Sequence, residues 1–264
     1  MVSPEQIAAI EASLVGGTFL GCHYRAAPKL VGVLNRAESD LEVEWERTDR
    51  SVPFKTWHGI RGVGGYRKAA GWHGHGLAVD LNYSRNGYLV TRTRLPNGRT
   101  VYGGEEAGAG LVGVREAFAA ACDRACVALD GQPADLSARK HGEDGGAAWD
   151  RFDRVSRAVA AYLAPFYQTA DALDVGEADA RPGADVPPQV AADYAALRVP
   201  LVVGFPERHP RTTRNPAVGL IDIPRAVFVA LDRAGLRLGL IDFGARASGD
   251  AMHADTASRI ASGA

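Results

Sequence analysis

The chain of 264 residues is poor in the side chains that usually build specialised sites: three cysteines, two methionines and seven histidines. An odd number of cysteines in a long chain argues against a disulfide framework. Cys122 and Cys126 stand four apart in an alanine-rich helical stretch, so they share a face and read as small buried residues. Charge of one sign is also lacking. The 30 basic and 31 acidic residues give a formal net charge of -1, whereas a nucleic-acid binder is ordinarily clearly basic, so no nucleic-acid partner is expected. No apolar run reaches the ~18–20 residues of a membrane span. Residues 1–16 carry Glu5 and Glu11 and no basic n-region, so no secretory leader is expected. The expectation is a soluble protein made in the cytoplasm, which would meet a cell wall only after non-classical export or lysis. What is present is ordinary for a globular chain, 46% hydrophobic and 23% charged residues, enough to bury a core.

Periodicity and breakers give a coarse map. Ser3-Pro4-Glu5-Gln6 is a helix start, with Ser3 as N-cap and Gln6 placed to close a capping box. Gly16-Gly17 reads as a break, followed by a short strand at Thr18-Phe19-Leu20. A helix is expected over Pro28–Asp40, a strand over the alternating Leu41–Trp45, a glycine-rich loop over 58–72 and a strand over Leu77–Tyr83. Tyr88–Tyr102 has hairpin composition, turning at Pro96-Asn97-Gly98. Helices are expected over 109–129, 149–170 and 190–197, with an acidic, Pro- and Gly-rich loop over 174–189. Leu201-Val202-Val203 reads as a buried strand. Pro224–Ala234 reads as a helix closed by Gly235, and Leu236–Ile241 as a strand. The expectation is one α+β domain over 1–264: a small, mostly antiparallel sheet flanked by helices, with 103–210 as a large, mainly helical insertion.

Chemistry concentrates in two places. One is Gly65-Tyr66-Arg67 followed by His73-Gly74-His75-Gly76-Leu77-Ala78-Val79-Asp80. The other is Asp250-Ala251-Met252-His253-Ala254-Asp255. Zinc takes imidazole nitrogen and carboxylate oxygen in tetrahedral sites, and a catalytic ion keeps one of four positions open. His73, Asp80 and His253 would supply such a His₂Asp set from two distant elements. His75, two from His73, faces the same way on an extended backbone, so a His-x-His pair is the alternative. The seven-residue step from His73 to Asp80 does not fit the His-x-Asp triad of non-haem iron oxygenases. Asp250, three before His253, is placed to act as general base, and Arg67 to stabilise an oxyanion. Asp255 reads either as a carboxylate holding a ligand histidine or as a surface group. His58 and Tyr66 are candidate substrate contacts. His23 reads as a core histidine, with a place in the cleft as the alternative, and His141 and His209 as exposed.

The pattern His-x-x-Gly-x-Ala-x-Asp at His73, Gly76, Ala78 and Asp80, preceded by Gly-Tyr-Arg and closed by Asp-x-Met-His at Asp250–His253, resembles the D-alanyl-D-alanine carboxypeptidase/dipeptidase zinc peptidases. That superfamily includes phage L-alanyl-D-glutamate endopeptidases and the Hedgehog signalling domain. The resemblance covers roughly residues 25–85 and 215–258. It implies His73, Asp80 and His253 as Zn²⁺ ligands, with His73 rather than His75 in register. It also implies Asp250 as general base and Arg67 as the substrate-polarising arginine; His75, read from the residues alone, joins His58 and Tyr66 as a candidate substrate contact. The implied activity is hydrolysis of peptide bonds next to D-amino acids, in peptidoglycan stem peptides. Two other classes stay open: a zinc amidase on a small amide outside the wall, and a binding module that keeps zinc without catalysis.

Overall fold

The computed structural model describes residues 3–68, 71–83, 85–87, 89–95, 97–102, 112–168, 181–202, 214–243 and 249–256. Helix α1 (Pro4–Ser13) starts as the sequence predicts: the Ser3 side chain accepts the Gln6 N–H while the Gln6 side chain reaches back to the Ser3 N–H. Strands β1 (Val15–Phe19) and β2 (Cys22–Ala26) pair antiparallel. Leu20 and Gly21, both with positive φ, form the tight turn between them. The expected break at Gly16-Gly17 lies inside β1, where pairing with β2 supplies what the two residues' own propensity lacks. Helix α2 (Pro28–Glu46) buries Leu30, Val33, Leu34, Ala37 and Leu41. The strand expected at Leu41–Trp45 is its last turns. Leu41 and Trp45 are also one helical turn apart, and no breaker separates them from the preceding helix.

The short helix α3 (Phe54–Trp57) and strand β3 (Val63–Gly64) precede a 3₁₀ turn at His73–His75 and strand β4 (Ala78–Leu81). Strands β5 (Arg92–Arg94) and β6 (Thr100–Tyr102) form the expected hairpin; Tyr88 and Pro96 lie outside the described residues. Helices α4 (Val112–Asp130) and α5 (Gly145–Leu163) are separated by an ordered connection, and α5 starts on an Asp144 side chain that accepts the Ala147 N–H. Strands β7 (Tyr167–Gln168) and β8 (Arg181–Pro182) pair briefly, and α6 (Pro188–Val202) follows. Leu201 and Val202, expected in a strand, close α6 instead; a short apolar run does not distinguish strand from buried helix. Helix α7 (Arg225–Arg233) ends before Gly235, at φ 90. Strand β9 (Arg237–Leu238) is shorter than the run Leu236–Ile241, because the Asp242 N–H turns back to the Leu238 carbonyl. Strand β10 (His253–Asp255) completes the set.

The architecture is α+β. One antiparallel sheet, in the order β3-β4-β10-β9, holds the candidate site. Its register sets His253 opposite Asp80, Gly64 opposite Asp80, and Asp255 opposite both Ala78 and Arg237. Val79 and Leu81 of β4, Leu238 of β9 and Ala254 of β10 join one hydrophobic core with Leu34 of α2, Phe118 of α4, Phe152 of α5, Leu197 of α6 and Phe228 of α7. Because strand side chains alternate, that placement sends Asp80, His253, Asp255 and Arg237 to the opposite face. The helical segments that follow residue 112 are tied to the sheet by more than packing. Arg139, between α4 and α5, bonds Asp232 of α7 and Asp242 just past β9, at 2.5 and 2.6 Å.

Candidate metal centre

The local chain explains why the two clusters meet. Gly76 ends the 3₁₀ turn at φ +66, and a Cβ there would lie 2.5 Å from Leu14 Cδ2 and 2.8 Å from the Ala27 nitrogen. Only glycine gives both that backbone and that clearance, so His73 is turned back over the start of β4. On the other side, a Cβ on Gly249 (φ +125) would lie 1.9 Å from the Leu89 carbonyl oxygen. The Leu89 N–H donates to the Gly249 carbonyl and the Gly249 N–H to the Gly239 carbonyl. The turn that carries Asp250 into β10 is therefore pinned on both flanks.

His73, Asp80 and His253 converge as a set able to hold a metal ion. His73 Nε2 lies 3.0 Å from Asp80 Oδ1 and 3.2 Å from His253 Nδ1, and His253 Nδ1 lies 3.2 Å from Asp80 Oδ1. The far nitrogen of each ring decides the protonation of the near one. His73 Nδ1 faces the Gly65 carbonyl at 2.9 Å, and a carbonyl only accepts. His253 Nε2 faces Asp255 Oδ2 at 3.2 Å, and Asp255 is held as a carboxylate by Arg237, Nε to Oδ1 at 3.1 Å and Nη2 to Oδ2 at 2.7 Å. In their neutral tautomers both histidines spend their N–H outward, so three lone-pair atoms face one another inside a triangle of 3.0–3.2 Å. Lone pairs this close repel one another unless a cation lies among them, so the set could hold a metal ion. A tetrahedral ion with bonds of ~2.0–2.1 Å would set its ligands about 3.4 Å apart. The donor set therefore fits after an adjustment of a few tenths of an ångström. Imidazole and carboxylate together suit zinc and other first-row divalent ions.

Electrostatics agree with that reading. Burial pushes the His253 imidazolium down, but its hydrogen bonds to Asp255 and Asp80 and the nearby Asp250 charge outweigh burial and raise it to about 9. Burial raises the Asp80 carboxyl, and the His253 and His73 rings against it overcome this and hold it well below the usual carboxylate range. In metal-free protein the proton on His253 takes the role of the ion. The signs follow. The raised His253 value stabilises the fold fully below its ordinary 6.5 and no longer once pH has risen through about 9. The depressed Asp80 value stabilises above its ordinary 3.8 and is lost as pH falls below that. Metal-free protein is thus expected to be most stable between 3.8 and 6.5 with respect to these two groups, and metal-loaded protein to keep its stability to higher pH. Thermal melts of both forms at pH 6 and pH 10 check this. Calorimetry of metal binding near pH 7 in buffers of different ionisation enthalpy is expected to show about one proton released per ion.

Asp250 is buried, and His253 feels its charge. The Arg67 guanidinium, 50% exposed at its side chain, bonds Asp80 Oδ2 at 2.7 Å, the oxygen turned away from the two histidines. His75 is exposed on the same turn, its Nδ1 2.8 Å from the Gly71 carbonyl. Tyr66 donates to Glu11 Oε1 at 3.2 Å. His58 is 1% exposed, edge-on to Phe54, with Nδ1 accepting the Ile60 N–H at 3.1 Å; burial lowers its pKa to about 4. These contacts place His58 in the core and tie Tyr66 and His75 to neighbours outside the His73–Asp80–His253 triangle. His23 is exposed, beside Thr18 Oγ1, and not a core histidine. His141 is exposed as expected, and His209 lies outside the described residues.

Two residues at the site have no motif to announce them. Arg237 neutralises the buried Asp255, lying over the Phe243 ring at 4.5 Å and the Trp72 ring at 5.8 Å. Phe243 meets the His253 ring edge-on at 5.1 Å. Arg237→Gln is expected to lower metal affinity about 10–100-fold, the usual cost of losing an outer-shell partner, with Arg237→Lys intermediate because it keeps charge but loses the fork. Competition with a chromogenic chelator measures this, and unchanged affinity in Arg237→Gln would remove Arg237 from the site.

No family model, curated protein or solved structure matches this chain. Among the described residues no helix is long and apolar enough to cross a membrane.

Proposed function

We propose that the chain is a zinc-dependent peptidase that hydrolyses peptide bonds next to D-amino acids, with peptidoglycan stem peptides as substrate. The observation that carries this is the convergence of three lone-pair atoms on one point, with a buried carboxylate close by. A zinc ion held there would supply Lewis acidity toward the scissile carbonyl and a water acidic near neutral pH. Asp250 takes the proton of the attacking water and delivers it to the leaving amine. Arg67, half-exposed at the mouth, has the reach to hold the oxygen on which negative charge develops. Asp255 and Arg237 fix the His253 ring, and the Gly65 carbonyl fixes that of His73.

The test combines two measurements on purified protein. Metal analysis is expected to find about one zinc per chain, and digestion of purified peptidoglycan to release new fragments identifiable by mass spectrometry. Protein that folds fully and carries no metal sinks the site. Zinc-loaded protein that leaves peptidoglycan intact at several pH values favours a second reading, an amidase on a small amide outside the wall. The net charge of -1 supports that second reading, because it offers no excess of positive charge to hold an anionic polymer. A zinc-containing binding module without catalysis is disfavoured by Asp250, since a purely structural site has no use for a buried base.

A further inference from the structure

The large hydrophobic side chains that stand exposed among the described residues are Val15, Val43, Val52, Trp72, Tyr83, Val127 and Leu129. Five are aliphatic and lie on β1, α2, α4 and the segment after α2, and such isolated exposure is normal. The two aromatic ones are Trp72, 40% exposed, which immediately precedes His73, and Tyr83, 48% exposed, two residues past β4. Tyr83 lies at the β3 side. A Cβ on Gly64 would sit 3.6 Å from Tyr83 Cδ1 and 3.7 Å from Asp80 Cβ, so the tyrosine ring occupies the sheet face that carries Asp80. Trp72 immediately precedes His73, and its ring lies 5.8 Å from the Arg237 guanidinium, which is paired with Asp255. That one face therefore carries Asp80, His253, Asp255 and Arg237, with the tyrosine ring beside Asp80 and the tryptophan ring beside Arg237.

The tryptophan is held in place. The Trp72 carbonyl accepts the His75 N–H at 3.2 Å and the Leu77 N–H at 2.9 Å, so the turn that aims His73 also fixes Trp72. Arg237 covers the tryptophan from a position locked by two bonds to Asp255. Rigid aromatic side chains offer large contact area at low entropic cost, and their faces prefer flat partners in offset stacking.

We propose that Trp72 and Tyr83 are the two walls of the substrate cleft, and that they select amides whose groups flanking the scissile bond present a flat ring face. The proposal rests on reading His73, Asp80 and His253 as a hydrolytic metal site. An aromatic side chain and the face of a sugar ring share this chemistry, and the probes separate them.

Hydroxamates chelate the ion and so anchor the comparison. Binding of D-alanine hydroxamate, D-phenylalanine hydroxamate and N-acetylmuramoyl-L-alanine hydroxamate is measured on zinc-loaded wild type, Trp72→Ala, Trp72→Phe and Tyr83→Ala, with zinc content determined for each. At least one ring-bearing probe is expected to bind on the order of 10-fold tighter than D-alanine hydroxamate. The advantage should fall in Trp72→Ala or Tyr83→Ala and be kept in Trp72→Phe, with D-alanine hydroxamate and zinc content unaffected. Preference for the phenyl probe identifies an aromatic side chain, and preference for the muramoyl probe a sugar. Equal binding of all three probes to wild type overturns the two walls while leaving the metal site standing. A ring advantage that survives both alanine variants overturns the assignment to these residues. Failure of wild type to take up zinc removes the hydrolytic reading, and the walls fall with it.

Discussion

Asp250→Asn is expected to bind its metal ion normally and to lose hydrolysis by on the order of 10³-fold, within the range that a positioned general base contributes. The substitution is nearly isosteric, and Asp250 is no member of the His73–Asp80–His253 set. A backbone pinned through Gly249 to Leu89 and Gly239 holds the residue in place whichever side chain it carries. What changes is the ability to take a proton from water and return it to an amine. An amide cannot do so at any accessible pH, so the loss should appear in kcat and persist across the pH range. Full activity in Asp250→Asn would assign the base elsewhere. Loss of metal together with activity would make Asp250 a ligand. Because His253 feels the Asp250 charge, the variant should also bind metal at somewhat lower pH than wild type, its competing proton being held less tightly.

His73→Ala is expected to cost metal affinity well beyond the ~10–100-fold of an outer-shell change, since one of three donors disappears. Activity should fall to background. The stabilisation that saturating metal gives the wild type, about 4 kcal/mol at 1,000 times the dissociation constant, should vanish. The apo fold should survive, because Asp80 retains both His253 and Arg67 as partners. Parallel melts of wild type and variant with and without added zinc measure this. A metal-dependent rise in melting temperature that persists in His73→Ala would place the ion somewhere else. Chelator treatment of wild type should reproduce the variant's behaviour and be reversed by zinc; irreversible loss would point to a structural rather than an exchangeable ion.

The three donors were legible in the sequence because their chemistry is rare in this chain and their spacing is unusual. A histidine, a glycine three residues on and a buried aspartate four beyond that describe a turn into a strand, and Gly76 does take the positive φ that such a turn needs. The helices α1, α2 and α7 were legible from caps and period. Other features depend on partners that no local window contains. The alternation at Leu41–Trp45 fits a strand as well as a helix, and continuity from Pro28 decides it. Arg237 looks like any surface arginine until the pairing of β9 with β10 sets it opposite Asp255. Trp72 and Tyr83 draw their interest from exposure, which periodicity does not report. His58, attractive beside a glycine-rich loop, is buried by Phe54 and turned to its own backbone.

The pairing of His253 with Asp80 joins positions 173 residues apart. Closing so long a loop carries an entropic cost that local contacts do not repay, and such contacts form late. During synthesis, His73 and Asp80 are made long before His253, so a nascent chain carries only two of the three side chains of the set. The complete set of three therefore exists only once β10 has paired with β4. An ion bound there would tie the first third of the chain to β10.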